Sequence, residues 1–134
     1  NLALTAGRSL TESTNDILAD AELYTVTKTI IIETPTSADN FIMFHVELGM
    51  QVIAAHAIVE DATNATDQFI KCDVAGDNCY EITSPIVADV GGQADDGVID
   101  APDLDIDDWV RCNITATTGT PGHVSATLTM TMDD

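Results

Sequence analysis

Much of this chain alternates between apolar and polar positions, and a period of two residues predicts half-buried β-strands. The clearest alternation lies in residues 109–117 and 124–132. The apolar positions of the two runs are Val110, Cys112, Ile114, Ala116, Val124, Ala126, Leu128, Met130 and Met132. Residues 118–123 between them contain two glycines and a proline, which predict a turn. The C-terminal part of the chain is therefore predicted to form a β-hairpin.

Shorter β-branched or apolar runs, separated by turn residues, predict the remaining strands. They cover residues 24–33, 41–48, 51–60, 68–75, 79–83 and 98–99. The second run is apolar on both faces at its start, so we expect it in the centre of a sheet. With the hairpin, the count is seven or eight antiparallel strands. This spacing predicts an all-β fold, a single β-sandwich of jelly-roll type, over residues 23–134.

Residues 1–22 do not continue the strand pattern. Leu2 and Leu4 alternate with smaller residues, as in an extended arm. An extended arm needs a groove or a sheet edge to offset its ordering entropy. We therefore expect this segment, with Leu2, Leu4 and Leu10, to contact a neighbouring subunit. The alternative is a short capped helix from Ser13 to Leu23 that packs on its own domain.

The chain is strongly acidic, with 4 Lys and Arg against 23 Asp and Glu and a net charge of −19. Such a charge repels phosphate backbones and anionic lipids, so nucleic acid and membrane surfaces are not expected as partners. No apolar run is long enough to cross a bilayer. The charge itself favours solubility, and cation binding is the alternative.

The densest acidic cluster contains Asp103, Asp105 and Asp107. Alternating carboxylates of this kind can supply oxygen ligands to Ca²⁺, so calcium is the one cofactor that the sequence suggests. The cluster lacks the glycine and the later glutamate of an EF-hand loop. The alternative is a solvated turn whose Leu104 and Ile106 point inward.

No motif pairs a nucleophile with a base, so the chain is not expected to be an enzyme. His45, His56 and His123 lack the close spacing of zinc ligands and are expected to be scaffold residues.

Three further features concern single positions. Cys72 and Cys79 are close enough for a local disulfide, although three free thiols, including that of Cys112, fit equally well. Asn64, in a predicted polar loop, and Asn113, within a predicted strand, match the N-glycosylation pattern. Trp109 is the only tryptophan, and we expect it to be mostly buried at the sandwich edge or to lie at a subunit interface.

Several segments, taken in order, resemble small β-sandwich virion proteins of tailed bacteriophages. They are residues 35–44, with a Pro-Thr-x-x-Asp loop, residues 52–59, the Asp-Asp-Trp-Val of residues 107–110, and the closing strand of residues 119–129. The resemblance spans residues 30–131. The chain departs from the family where an Arg-His-Gly turn is often found, since residues 69–76 differ there.

The resemblance implies a non-enzymatic structural subunit on the virion surface, either a capsid decoration protein or a tail accessory protein. Its partners would be copies of itself and a major capsid or other virion protein. The alternative is a secreted subunit of a cell-surface filament assembled by N-terminal strand addition, which a disulfide and used sequons would suit. A carbohydrate-binding module is disfavoured because aromatic residues make up only 4% of the chain.

Overall fold

The computed structural model describes residues 25–60, 64–73, 76, 78–88 and 94–132, and this part of the chain forms strands, turns and bends only. The strands are β1 (Thr25–Glu33), β2 (Asn40–His45), β3 (Met50–Glu60), β4 (Asn64–Cys72), β5 (Cys79–Glu81), β6 (Ile86–Ala88), β7 (Ala94–Asp96), β8 (Asp103–Leu104), β9 (Trp109–Thr118) and β10 (His123–Met132). The predicted all-β class is confirmed. The expectations for Leu2, Leu4 and Leu10 lie outside the described residues.

The strands form two antiparallel sheets. In the first sheet the order is β1, β10, β3 and β7, with β8 also paired to β3. In the second sheet the order is β2, β9, β4 and β5, with β6 also paired to β4. The predicted C-terminal hairpin therefore does not form, because β9 and β10 belong to different sheets.

The described residues contain ten strands, whereas the sequence predicts seven or eight. The difference arises at one edge of each sheet, where two short strands pair with different parts of the same long strand. In the first sheet β7 pairs with residues 56–58 of β3, and β8 pairs with residues 50–51. In the second sheet β6 pairs with residues 65–67 of β4, and β5 with residues 70–72.

One hydrophobic core fills the space between the sheets. It takes the inward positions of β3 and β10 from the first sheet and of β4 and β9 from the second, including Val59, Leu128, Phe69 and Val110. These positions follow the two-residue period that the sequence shows, because successive side chains of a strand point to opposite faces. No helix in the described part of the chain is long and apolar enough to span a membrane.

Three predicted strand assignments are wrong. β2 lies at an edge of the second sheet rather than in its centre, and its Ile42 is 55% exposed. β4 begins at Asn64, so residues 64–67 belong to a strand and not to a polar loop, because they pair with β9 and β6. Ile99 makes only an isolated bridge to Thr83, while β7 forms nearby at Ala94–Asp96.

Candidate functional site

The outer face of the first sheet carries an exposed apolar row. The pairing register places Ile31 of β1, Ser125 of β10 and Ile58 of β3 side by side across the three strands. Ile31 is 65% exposed and Ile58 37% exposed. A shallow depression of about 310 Å³ lies beside Ile58 and is lined by Ser125, His123 and Glu60. After its two isoleucines, which flank a serine, we call Ile31, Ser125 and Ile58 the apolar row.

Carboxylates and histidines flank the apolar row on both sides. Two residues along each strand from the row, toward the start of β10, the register aligns Glu33, His123 and Glu60 on the same face. His123 forms an ion pair with Glu60. On the other side, His56 Nδ1 lies 2.6 Å from a carboxylate oxygen of Asp96. The surroundings of the apolar row are therefore acidic, and each of its histidines has a carboxylate partner.

The rest of this outer face is rich in threonine. The register aligns threonines in three cross-strand pairs: Thr25 with Thr131, Thr27 with Thr129 and Thr29 with Thr127. The basic side chains of the described residues lie elsewhere. Lys28 reaches over the ring of Phe44 at 5.9 Å from its centroid, Lys71 lies beside the Asp108 carboxylate, and Arg111 is on β9 of the second sheet. Among the described residues, the outer face of the first sheet thus carries no lysine or arginine.

A second polar cluster lies where β2 ends and β9 begins. His45 Nδ1 is 3.0 Å from a carboxylate oxygen of Glu47, and His45 Nε2 is 3.5 Å from one of Asp107. The imidazole also packs against Trp109, with ring centroids 4.6 Å apart and planes tilted by 51°. Asp107 has a φ of 75°, a left-handed conformation that aspartate tolerates better than most residues. The polar partners that the described residues give His45 are thus the carboxylates of Glu47 and Asp107.

The acidic loop, residues 103–108 at the start of β8 and before β9, is held by contacts within itself and with β3 and β4. The Asp108 carboxylate accepts a hydrogen bond from the Asp105 backbone N–H at 3.0 Å and lies 4.0 Å from Lys71 Nζ. Asp103 accepts one from the Gln51 side chain at 3.1 Å. The solvated-turn alternative expects Leu104 and Ile106 to point inward. Leu104 is buried, but Ile106 is 61% exposed.

The three candidate calcium ligands have separate surroundings in this loop. Asp103 contacts Gln51, Asp107 contacts His45, and Asp105 is exposed. The described residues contain no group of three or more His, Cys, Asp or Glu side chains placed to hold a metal ion. Calcium binding by Asp103, Asp105 and Asp107 stays a prediction.

Trp109 is half-buried and lies on the outer face of the second sheet, outside the hydrophobic core. We expect Trp109→Ala to lower the free energy of unfolding by about 1–2 kcal/mol, below the range of about 3–5 kcal/mol for a core tryptophan. Chemical denaturation measures this change, and Trp109→Phe, which keeps an aromatic ring beside His45, should recover most of it. A loss of about 3 kcal/mol or more would contradict the half-buried placement.

Cys72 and Cys79 form a disulfide across β4 and β5, with an S–S distance of 2.03 Å. The bridge closes a loop with a sequence separation of 7. Cys112 is free and buried in β9. The sequence allows the bridge and three free thiols equally, and the structure has the bridge.

Reduction of this disulfide is expected to lower the free energy of unfolding by about 2–3 kcal/mol, because the open chain regains loop entropy when unfolded. Urea denaturation with and without reductant measures the loss. The double variant Cys72→Ala with Cys79→Ala should show no response to reductant. If the wild-type protein is equally stable in both conditions, the bridge does not stabilise the fold.

The most unusual group in the interior is the Asp67 carboxyl group on β4. Asp67 has no exposed surface, and neither carboxyl oxygen makes a hydrogen bond to another described residue. Its inward position follows from the register, which places it opposite Ile114 of β9. Removal from water raises the pKa of Asp67 to about 7, its own backbone N–H opposes this in part, and the nearby Asp95 carboxylate adds to the increase.

The thiol of Cys112 belongs to the same part of the interior. Burial raises the pKa of Cys112 above its usual range, and the proximity of Asp67 raises it further. Such a thiol stays protonated and is a poor nucleophile.

The two candidate glycosylation sites lie within strands. Asn64 is the first residue of β4, and Asn113 lies in the middle of β9. Both are half-buried, and the side-chain oxygen of each is buried without a hydrogen-bond partner among the described residues. The expected loop position of Asn64 is wrong.

Sequence reasoning misses two of these features. The polar neighbours of Asp67 indicate a loop, although Ala65, Asp67 and Phe69 share one parity and could indicate a strand. The apolar row escapes notice because residues 30–32 are all isoleucine, so composition does not show which of them faces outward. In both cases the missing information is the pairing partner.

No family model matches the chain, and no curated protein matches it. Among solved structures, the chain is similar to one in the capsid asymmetric unit of cyanophage Pam1. The identity is 15% and the TM-score 0.47, over 82% of this chain and 84% of that chain. At these values the likeness defines neither a family nor a function for the chain.

Proposed function

We propose that this chain is a non-enzymatic structural subunit of a virus particle, built as a jelly-roll sandwich. The observation that carries the proposal is the strand order. Numbered in chain order, the strands lie side by side as β1, β10, β3 and β7 in one sheet and as β2, β9, β4 and β5 in the other. Two interleaved Greek keys produce this kind of order, and viral capsid domains use it, as do lectins and cupins.

The fold alone does not distinguish these classes, because one fold hosts many functions, so the side chains must be compared with what each class requires. A cupin-type enzyme is disfavoured, since the three histidines lie on three different strands and each contacts a different carboxylate. A lectin is disfavoured by the scarcity of exposed aromatic rings, with Tyr80 and Phe41 as the exposed examples among the described residues. A structural subunit needs neither a set of histidine ligands nor exposed aromatic rings, so these observations favour it among the three classes.

Within a particle, we infer a surface role, as a capsid decoration protein or a tail accessory protein that contacts itself and a shell protein. The motif resemblance of residues 30–131 supports this placement. The likeness to a capsid chain of cyanophage Pam1 agrees with it but is too distant to carry it.

The disulfide between Cys72 and Cys79 favours a second candidate, a secreted subunit of a cell-surface filament. Structural disulfides persist mainly in oxidising compartments. A phage protein would instead acquire the bridge after release from the cell.

One experiment separates the two candidates. Particles from the source culture are banded on a density gradient, and each fraction is analysed by peptide mass spectrometry. We expect peptides of this chain to follow the shell proteins and to remain after a second gradient. Peptides confined to cell-surface filaments, with none in the particle band, would contradict the virion proposal.

A further inference from the structure

We propose that the outer face of the first sheet is a docking surface for a cationic protein segment, one that presents an aliphatic side chain flanked by lysine or arginine. The inference rests on the proposed structural role and adds the chemistry of the partner. It is drawn from the apolar row and from the charges around it.

The apolar row supplies the centre of the surface. Ile31 and Ile58 stand on either side of Ser125, which is only half-buried, and the depression beside Ile58 can accept a small aliphatic group. Interfaces are commonly built with an apolar centre and a polar rim. The cross-strand pairs of threonine beyond the row add polar groups for a rim.

The charges around the row specify the partner. Glu33, Glu60 and Asp96 lie on this face, and the described residues place no lysine or arginine on it. His123 and His56 each lie against one of these carboxylates. Complementary potentials across an interface favour a cationic partner and speed its association.

The same charges disfavour a second copy of this chain as the occupant. Two copies carry −19 each, and face-to-face contact would bring their acidic rims together. Juxtaposed like charges lower affinity and select against such a partner. A segment with lysine or arginine on both sides of an aliphatic residue satisfies the centre and the rim at once.

The test is an NMR titration of the ¹⁵N-labelled protein with two peptides, Lys-Lys-Ile-Lys-Lys and Lys-Lys-Ser-Lys-Lys. Both peptides have the same charge, so the ratio of their affinities reports the apolar contact alone. We expect the isoleucine peptide to bind about tenfold more tightly, with shift changes centred on Ile31, Ser125 and Ile58.

Two pairs of variants locate the effect. Ile58→Ser should reduce the affinity ratio to about one. Val87→Ser should leave it unchanged, because Val87 is 52% exposed on β6 of the second sheet. Glu60→Gln should weaken both peptides, whereas Glu81→Gln, on β5 of the other sheet, should have a smaller effect.

Three results would overturn the proposal. They are an equal affinity for both peptides, shift changes centred on the second sheet, and concentration-dependent shifts of the apolar row without peptide, which would identify a second copy as its occupant. The particle experiment is independent of these results. If the chain bands with particles but does not discriminate the peptides, only this inference fails; discrimination without banding removes the virion role and keeps the surface.

Discussion

Between pH 5 and pH 8, the free energy of unfolding of Asp67→Asn is expected to increase by about 2–3 kcal/mol relative to that of the wild-type protein. The reason is that the wild-type chain must ionise a buried carboxyl group over this range and the variant need not. Urea denaturation of both proteins at several pH values measures the difference.

The sign follows from the two pKa values of Asp67. Its pKa is about 7 in the folded protein, against 3.8 for the side chain in water. The folded state therefore binds the Asp67 proton more tightly than the unfolded state does. The stabilisation that results is fully present below pH 3.8. Stability falls by about 1.4 kcal/mol per pH unit as the pH rises toward 7, a total of about 4 kcal/mol.

At pH 5 the asparagine variant is not expected to be more stable than the wild-type protein. The amide would be as buried as the carboxyl group and would also lack partners, which costs about 1–3 kcal/mol. The informative quantity is thus the change in the difference with pH. Asp105→Asn, at an exposed position in the acidic loop, controls for the loss of one negative charge from a chain of net charge −19.

A constant difference between Asp67→Asn and the wild-type protein from pH 5 to pH 8 would show that Asp67 does not change its protonation on folding. A parallel change in Asp105→Asn would attribute the effect to net charge. The groups that face Asp67 are Asp95 of β7 and Cys112 of β9. Because the Cys112 thiol is neutral over this range, Asp95 is the neighbour whose charge raises the pKa of Asp67.

The two-residue period is sufficient to predict the long strands. β1, β3, β9 and β10 begin and end within one residue of their expected bounds, because most of their inward positions are apolar and most of their outward positions are polar. Periodicity does not determine which strands pair. The pattern predicts a hairpin for the last two strands, yet residues 118–123 connect the two sheets.

The short edge strands carry little local signal. β7 and β8 contain Asp95, Asp96 and Asp103, and aspartate is depleted in strands. Each pairs with part of β3, which supplies the hydrogen-bonding edge. Directly after β7, a Cβ atom at Gly97 would lie 2.6 Å from Ile86 Cδ1 of β6 and 3.1 Å from Ala55 Cβ of β3, so glycine permits close packing there. Pairing with β3 therefore overrides the local sequence preference in both β7 and β8.

The candidate sites follow the same division. The sequence identifies Cys72 and Cys79 because they are close along the chain. The apolar row and its acidic rim combine residues from β1, β10 and β3, which are far apart in sequence. Only the register between strands brings Glu33, His123 and Glu60 together.

Phe69→Ala is expected to lower the free energy of unfolding by about 3–5 kcal/mol, a larger loss than we expect for Trp109→Ala. Phe69 is 0% exposed and is among the largest fully buried side chains. Its backbone N–H donates to the Thr83 hydroxyl at 3.1 Å, and its carbonyl accepts from the Ile82 N–H at 2.9 Å. These bonds fix the strand around the side chain, so the space left by truncation cannot close easily.

The chain provides a closely matched comparison in Phe41→Ala. The register places Phe41, Cys112 and Phe69 in one row across β2, β9 and β4, so the two phenylalanines flank the same residue. Phe41 lies on the edge strand and is 39% exposed. Its truncation should therefore cost only about 1 kcal/mol, since less apolar area returns to water and little cavity forms. Urea denaturation of the two variants measures both changes. Equal losses would mean that the core extends to the β2 edge, and a small loss for Phe69→Ala would mean that the interior can collapse around β4.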